Sequence, residues 1–345
     1  MNKLNDLQDL RVCFISDIPE NVKEYLINGL KGLSRVTIIF PKERTEEKLF
    51  KLIKDAQVLI GWRPSIELME HAKNMSVFIN PGAGIHHLLR DFREINKKRK
   101  VILINGHGNS YFVAQHTVAL LLSFMNKIIP HHQWMKEGRW RTGDDDAASV
   151  PLRFKNVGFL GYGAINKKVH KMLSGFNINF SILRRNWSKT EKTLPTEIKK
   201  YSPNQLHDFL KDIDILIIAV PVTKLTHHII GEEELKRLGP EGILINVSRG
   251  EIVNQEALYN ALKKNTILGA AIDVWYDYNP QSDDQGRKFP YKFPFHQLNN
   301  IILSPHRGYS PFSDLLRWNE VIENIKRIAH NRTDLLNVVD LNEGY

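Results

Sequence analysis

Two short motifs suggest chemistry most directly. The run Val157-Gly158-Phe159-Leu160-Gly161-Tyr162-Gly163-Ala164-Ile165-Asn166 reads as a strand that breaks into a glycine-rich turn and re-enters as a helix. Gly161 suits a tight turn and Gly163 lets a backbone approach a pyrophosphate. The helix start at Ala164 and Ile165 offers unpaired N–H groups and a favourable dipole. Asn166 stands where the third glycine of the usual fingerprint would be, so the helix is expected to sit slightly off the strand. The next strand, Phe180-Ser181-Ile182-Leu183, ends where a ribose-reading carboxylate is usual in NAD-binding turns; here the place holds Arg184-Arg185-Asn186. A carboxylate would repel a 2′-phosphate, whereas two guanidiniums grip one bidentately. The expected cofactor is therefore NADP(H) in preference to NAD(H). A solvated arginine pair at a strand end is the bland alternative.

These motifs need a strand-and-helix frame, and the sequence supplies one from end to end. Short apolar runs at Val12-Cys13-Phe14-Ile15, Val36 to Phe40, Val58-Leu59-Ile60, Val77-Phe78-Ile79 and Val101 to Ile104 alternate with helix-like segments. A long helix is expected over about Tyr111 to Met135, then a polar loop over Gly143 to Ser149. A second series follows, with strands at 156–160, 178–182, 215–219, 243–246, 267–271 and 301–303, and the chain ends in a helix carrying Leu315, Leu316, Val321, Ile322 and Ile325. Continuous apolar strands joined by helices make an α/β protein with parallel sheets, buried on both faces. Two such units make a cleft between them the expected place for a site.

Composition narrows the class. With 345 residues, 42% apolar and 25% charged, the chain is neither disordered nor fibrous, and its single cysteine, Cys13, excludes an intrachain disulfide. No uncharged apolar run approaches the ~20 residues of a membrane span. The opening residues lack the apolar core of a signal peptide, so a cytoplasmic location is expected. The net charge is +10, from 48 basic and 38 acidic residues. Its densest run, Lys97-Lys98-Arg99-Lys100, reads as a solvated turn, and no nucleic-acid-binding signature accompanies it. An anionic cofactor or substrate is the more economical partner, with neither nucleic acid nor membrane expected.

From about Val58 to Tyr309 the sequence resembles the D-isomer-specific 2-hydroxyacid dehydrogenases, nearest the phosphoglycerate dehydrogenase and hydroxypyruvate-glyoxylate reductase branch. Asn80-Pro81-Gly82-Ala83-Gly84-Ile85 looks like that family's substrate-carboxylate loop. Gly108-Asn109-Ser110 with Val113-Ala114-Gln115-His116-Thr117 looks like the start of its long linking helix, with Gln115 in place of the usual Glu. Val220-Pro221 and Thr226 are similar to the loop lining the nicotinamide, and Val247-Ser248-Arg249-Gly250 matches the arginine signature. Asp273-Val274-Trp275 and Ser304-Pro305-His306 complete the set. The resemblance implies a flavodoxin-like substrate domain, residues 1–108 with 309–345, and an inserted dinucleotide-binding Rossmann domain, residues 109–308. It places Val220, Pro221, Thr226, Val247, Ser248, Arg249 and Asp273 against the cofactor.

Hydride transfer to a 2-oxo acid requires that the carboxylate be held, the carbonyl polarised and a proton delivered. Arg249, directly after a buried strand, supplies the first two with one planar fork; Gly82, Ala83 and Gly84 can add backbone N–H donors; His306, with an unperturbed pKa of ~6.5, can deliver the proton. Pro305 before it favours a fixed, extended approach. The pairs His86-His87, His131-His132 and His227-His228 are assigned to surfaces, and no metal is expected. Arg63, after a strand of the first domain, is an even choice between a second substrate anchor and a surface residue. The family places a Glu before a proline to charge the histidine. Here counting five residues from Asp273 lands on Tyr278, aligning on Pro280 lands on Asn279, and Asp277 is the nearest carboxylate. Asn279 or Asp277 is the expected partner.

The resulting expectation is an NADP-preferring oxidoreductase reducing glyoxylate, hydroxypyruvate or a phosphorylated relative. Asn279 leaves open a formate-dehydrogenase-like oxidation, because formate dehydrogenases of this superfamily use an amide there. A dinucleotide-sensing binding protein of the corepressor type shares the fold. The apolar circumference of the 111–135 helix, with Val113, Val118, Leu121, Leu122, Phe124, Ile128 and Ile129, predicts a homodimer through the cofactor domain.

Overall fold

A computed structural model of the chain describes residues 9–43, 45–140, 147–188, 193–311 and 313–345. Residues 143–146 of the expected polar loop lie outside the described residues. The chain forms two compact units, one of Met1–Asn109 with Pro311–Tyr345 and one of Ser110–Ser310.

The first unit is a five-stranded parallel sheet of β1 (Leu10–Phe14), β2 (Val36–Ile39), β3 (Val58–Ile60), β4 (Val77–Asn80) and β5 (Ile102–Asn105), in the order β2-β1-β3-β4-β5. That order is the flavodoxin-like one. Its strands are short and, apart from the partly exposed edge strand β2, largely buried on both faces, and the two-residue period divides them between two cores. Val12, Phe14, Val58, Ile60, Val77 and Ile79 face one side, where Trp318, Val321, Ile322 and Ile325 from the C-terminal segment pack. Cys13, Leu59 and Phe78 face the other, under Leu88, Leu89, Phe92 and Ile95 of the helix His86–Lys98. The chain end thus belongs to this unit because its helix, Asn319–Ala329, covers an apolar face that the N-terminal part leaves open.

The second unit is a seven-stranded parallel sheet of β6 (Asn156–Leu160), β7 (Asn179–Leu183), β8 (Lys199–Tyr201), β9 (Ile215–Ile218), β10 (Ile243–Asn246), β11 (Gly269–Ile272) and β12 (Ile301–Leu303). The order β12-β11-β10-β9-β6-β7-β8 is the Rossmann arrangement, with the reversal of strand order at β6 and β9. Val157, Phe159, Ile215, Ile217, Ile243 and Ile245 fill one core, and Leu160, Leu216, Ile218, Leu244 and Ile272 the other.

The expected single helix over Tyr111 to Met135 is two, Ser110–Met125 and Ile128–Lys136, bent by 62°. Lys127 sits between them in the left-handed region, at φ 49°. Pro130 accounts for the break: its ring clashes with the carbonyl four residues earlier and it has no N–H to give, so a continuous helix fails at Asn126. Val113, Leu120, Leu121 and Met125 of the first helix are buried against its own sheet, whereas Ile128, Ile129 and Met135 of the second are exposed. No single helix among the described residues is long and apolar enough to cross a membrane.

Candidate active site

The glycine-rich turn after β6 is shaped by contacts that exclude side chains. Gly161 has φ 83°, and a Cβ there would lie 2.5 Å from Val220 Cγ1 and 2.8 Å from the Ala219 carbonyl oxygen. Gly163 differs: a Cβ would meet nothing within 4 Å, and it caps the helix Ala164–Leu173 without a side-chain hydrogen bond. An open cradle over an uncapped helix start is what a pyrophosphate needs, so these residues fit a dinucleotide. Asn166 does not simply hold the helix off. It is fully buried, and its Nδ2 donates to the Gly161 carbonyl at 2.7 Å, bracing the turn where a glycine would have allowed close packing.

At the end of β7, Arg184 donates its backbone N–H to the Tyr201 carbonyl at 3.2 Å, and its guanidinium lies 5.5 Å from the centre of the Trp187 ring. Lys200, on β8, places its ammonium 5.3 Å from the same ring. Arg185 is exposed at the same turn. The turn is therefore strongly cationic and contains a third positive group, Lys200, that the sequence reading missed because β8 is separated from it in the chain. Beyond β9, the loop with Val220 and Pro221 is closed by Thr226, whose Oγ1 donates to the Pro221 carbonyl at 2.6 Å and accepts the Thr223 N–H at 2.8 Å.

Three successive strands deliver the candidate reacting groups. After β10, Asn246 organises the turn: its Oδ1 accepts the Ser248 N–H at 3.1 Å and its Nδ2 donates to the Arg249 carbonyl at 2.9 Å. Val247 and Ser248 are buried and Arg249 is half-buried. Gly250 is required by a close approach, since a Cβ there would come within 2.5 Å of the Trp275 carbonyl oxygen. Asp273, after β11, is buried, and its carboxylate grips the turn after β12. Its Oδ1 accepts from Ser304 Oγ at 2.5 Å and the Arg307 N–H at 2.7 Å, and its Oδ2 accepts the Gly308 N–H at 2.9 Å. His116 Nε2 lies 2.9 Å from Ser304 Oγ and 3.4 Å from the carboxylate. Burial alone would raise the Asp273 carboxyl, but the hydrogen bonds from His116, Ser304, Arg307 and Gly308 hold it below the usual carboxylate range.

His306 sits inside this clamped turn. The expected extended approach is overturned: its φ is 55°, in the left-handed region, and its N–H donates to the Ser304 carbonyl at 3.0 Å. A non-glycine residue is held there only where its surroundings over-determine it, and the Asp273 clamp does so. His306 Nδ1 is 2.9 Å from the hydroxyl of Tyr278, with the rings edge-to-face at 5.2 Å. The expected partners are displaced. The Asp277 carboxylate turns to accept the backbone N–H of Asn279 at 2.8 Å, and both residues lie in an exposed loop. Burial lowers the His306 imidazole below its ordinary value; Asp273 opposes this, while Arg249 and Arg307 add to it.

In the first unit, the loop after β4 has its carbonyls tied down. Asn80 Nδ2 donates to the carbonyls of Gly82, at 2.5 Å, and Gly84, at 3.4 Å; Asn105 Nδ2 donates to that of Ala83 at 3.0 Å. With those oxygens engaged, the loop's field is set by its N–H groups, which suits an anion. Trp62 stands beside this loop, its Nε1 3.7 Å from where a Gly82 Cβ would be, and it meets Trp318 edge-on at 6.0 Å. Arg63 is exposed.

The profile of the D-isomer specific 2-hydroxyacid dehydrogenase NAD binding domain matches residues 118–308, more than half of the chain. The chain belongs to the D-isomer specific 2-hydroxyacid dehydrogenases. Among curated relatives, the glyoxylate reductase of Thermococcus gammatolerans is 29% identical over 79% of this chain and 80% of its own. An NADPH-dependent glyoxylate/hydroxypyruvate reductase from Sinorhizobium meliloti, solved with NADP and malonate, has the same fold, with a TM-score of 0.71, 23% identity and 98% of each chain covered. A D-isomer specific 2-hydroxyacid dehydrogenase from Xanthobacter autotrophicus, solved with NADPH, gives a TM-score of 0.77 at 23% identity over 98% of this chain and all of its own.

As a 2-hydroxyacid dehydrogenase, the chain is an NAD(P)-dependent oxidoreductase. Bound nicotinamide supplies the hydride; the protein's part is to hold the acid, polarise its carbonyl and manage one proton. The sequence singles out Arg249, His306 and Asp273 and carries Asn80 and His116 inside motifs without assigning them a partner, while Asn105 and the clamp have no sequence signal. Count from Asp273 pointed to Tyr278 while the proline pointed to Asn279, and only the loop's path chooses between the two frames.

Proposed function

We propose that this dehydrogenase is an NADPH-preferring 2-oxo-acid reductase acting on glyoxylate, hydroxypyruvate or a phosphorylated relative. The observation that carries the reading is the turn at Ser304–Gly308. A buried carboxylate fixes the turn that carries His306, and burial first, then the charge of Arg249, lowers the imidazole's affinity for protons. One cation and one proton donor, the latter on a clamped turn, meet what a 2-oxo carboxylate requires. In this reading Arg249 grips the carboxylate and polarises the carbonyl, and His306 protonates the oxygen. Gly161, Gly163, Ala164, Ile165, Val220, Pro221, Thr226, Val247, Ser248 and Asp273 serve the dinucleotide, and residues 109–308 form its domain.

The preference for NADPH rests on Arg184, Arg185 and Lys200, whose charges suit a 2′-phosphate better than a bare ribose. The formate alternative loses its residue, because Asn279 does not meet His306. A homodimer through the second unit is supported by the exposed apolar residues Tyr111, Ile128, Ile129, Met135 and Trp140. The protein is proposed to work in the cytoplasm. A reductase screen with NADPH and NADH against a panel of 2-oxo acids tests the reading. Turnover of glyoxylate or hydroxypyruvate, faster with NADPH, is expected; turnover of none of the panel with either cofactor would overturn it.

A further inference from the structure

The hydrogen bond between Tyr278 and His306 takes the place at which the family resemblance calls for a carboxylate, and a phenol does different work there. The two differ in direction. A carboxylate can only accept, so it draws a proton onto Nδ1 and stabilises imidazolium. The Tyr278 oxygen faces the backbone N–H of Trp275 at 3.4 Å and lies 2.9 Å from Nδ1, so its O–H is free to donate to Nδ1 in the ring tautomer that leaves that nitrogen unprotonated. Tyr278 is itself 58% exposed, so the residue that meets the half-buried imidazole also borders solvent.

We propose that Tyr278 is the positioning residue of the acid–base group: it donates to His306 Nδ1, selects the neutral tautomer that carries its hydrogen on Nε2, and relays protons between that ring and solvent. The inference rests on the 2-oxo-acid reductase reading for its chemistry, but not for its geometry. In reduction, hydride brings two electrons to C2 of the oxo acid. The carbonyl oxygen takes the Nε2 proton, Nδ1 takes the phenol proton, and the phenol oxygen takes one from water. The ring resets when Nε2 takes a proton from water and Nδ1 returns one through the phenol. One solvent proton is consumed per turnover, and only cofactor and substrate change oxidation state.

The charges around the pair favour a neutral ring. Arg249 and Arg307 repel a proton on His306 and Asp273 attracts one; Arg249, Asp273 and Glu251 act on Tyr278, and the Tyr309 ring closes the other side of the imidazole at 5.5 Å. Partial burial raises the Tyr278 phenol above its ordinary value, so it stays protonated and able to donate at neutral pH.

The test uses Tyr278→Phe and Tyr278→Glu, both in an exposed loop, with two readouts. Nitrogen NMR of His306 in the unliganded enzyme near neutral pH should show the Nε2–H tautomer in the native protein. Tyr278→Phe should lose that preference, and Tyr278→Glu should raise the pH at which the ring titrates by about one or more. In kinetics, Tyr278→Phe should lower kcat about tenfold with KM within about twofold, and Tyr278→Glu should restore reduction with its pH profile moved upward. An Nδ1–H tautomer in the native protein, or a Tyr278→Phe enzyme with unchanged kcat and pH profile, would overturn the proposal. Should no 2-oxo acid be turned over, the reductase reading fails, and the NMR measurement still decides the Tyr278–His306 relation by itself.

Discussion

Replacing Asp273 by Asn probes the clamp that holds the acid–base turn. The native carboxylate accepts three hydrogen bonds within 2.9 Å, from Ser304 Oγ–H, Arg307 N–H and Gly308 N–H, with His116 Nε2 farther off at 3.4 Å. An amide offers one acceptor oxygen. If that oxygen keeps Ser304 and Arg307, its NH2 faces the Gly308 N–H, donor against donor, and a backbone donor in a buried position is left unmet. That costs about 1–3 kcal/mol, and loss of charge weakens the two remaining bonds by about 1 kcal/mol more. The expected destabilisation is about 2–4 kcal/mol, concentrated in the turn after β12. Denaturant unfolding measures the total, and hydrogen exchange at the Arg307 and Gly308 amides localises it. The turn should exchange faster, His306 should relax from its left-handed backbone, and kcat should fall. Stability within 0.5 kcal/mol of native with unchanged protection at both amides would refute the clamp.

Further expectations follow from other parts of the structure. Arg249→Ala should lower kcat/KM for any active 2-oxo acid by about 100-fold or more, affecting both terms, since the guanidinium serves ground and transition states; steady-state kinetics decide. Arg184→Ala and Lys200→Ala should each weaken NADPH about tenfold while leaving NADH nearly unchanged, as calorimetric titration of both cofactors will show. His170 is fully buried between Tyr162 and Thr196, and burial pushes its imidazole down to about 4. The unfolded chain therefore takes that proton first, so stability is complete above about pH 6.5 and falls by up to about 3 kcal/mol as pH drops towards 4; His170→Asn should flatten that slope in unfolding at a series of pH values. Light scattering should give twice the mass of one chain, and Ile128→Glu, at an exposed apolar position, should halve it.

What the sequence determined by itself was local or periodic. Continuous apolar strands such as Ile215–Ile218 and Ile243–Asn246, alternating with helices, announced parallel sheets, because crossover helices cover both faces of such a sheet. Gly161 was legible because a turn with positive φ at a strand end admits little else, and Arg249 because its motif directly follows such a strand. The break at Asn126 was equally legible from Pro130, and the apolar pattern hid it. Tertiary structure decided whatever depended on distance through space between residues far apart in the chain. Lys200 joins Arg184 only because β8 pairs with β7. His116 reaches Ser304 across 188 positions, and Asp273 finds the Arg307 and Gly308 amides because β11 and β12 are neighbours in the sheet. The choice of Tyr278 over Asn279 and Asp277 belongs here too. Three adjacent residues of one exposed loop each carry a polar group able to meet an imidazole, and which one meets His306 is set by how the chain leaves β11, where Gly250 lies against the Trp275 carbonyl. A one-residue choice of frame has no periodic signature; only the packed turn fixes it.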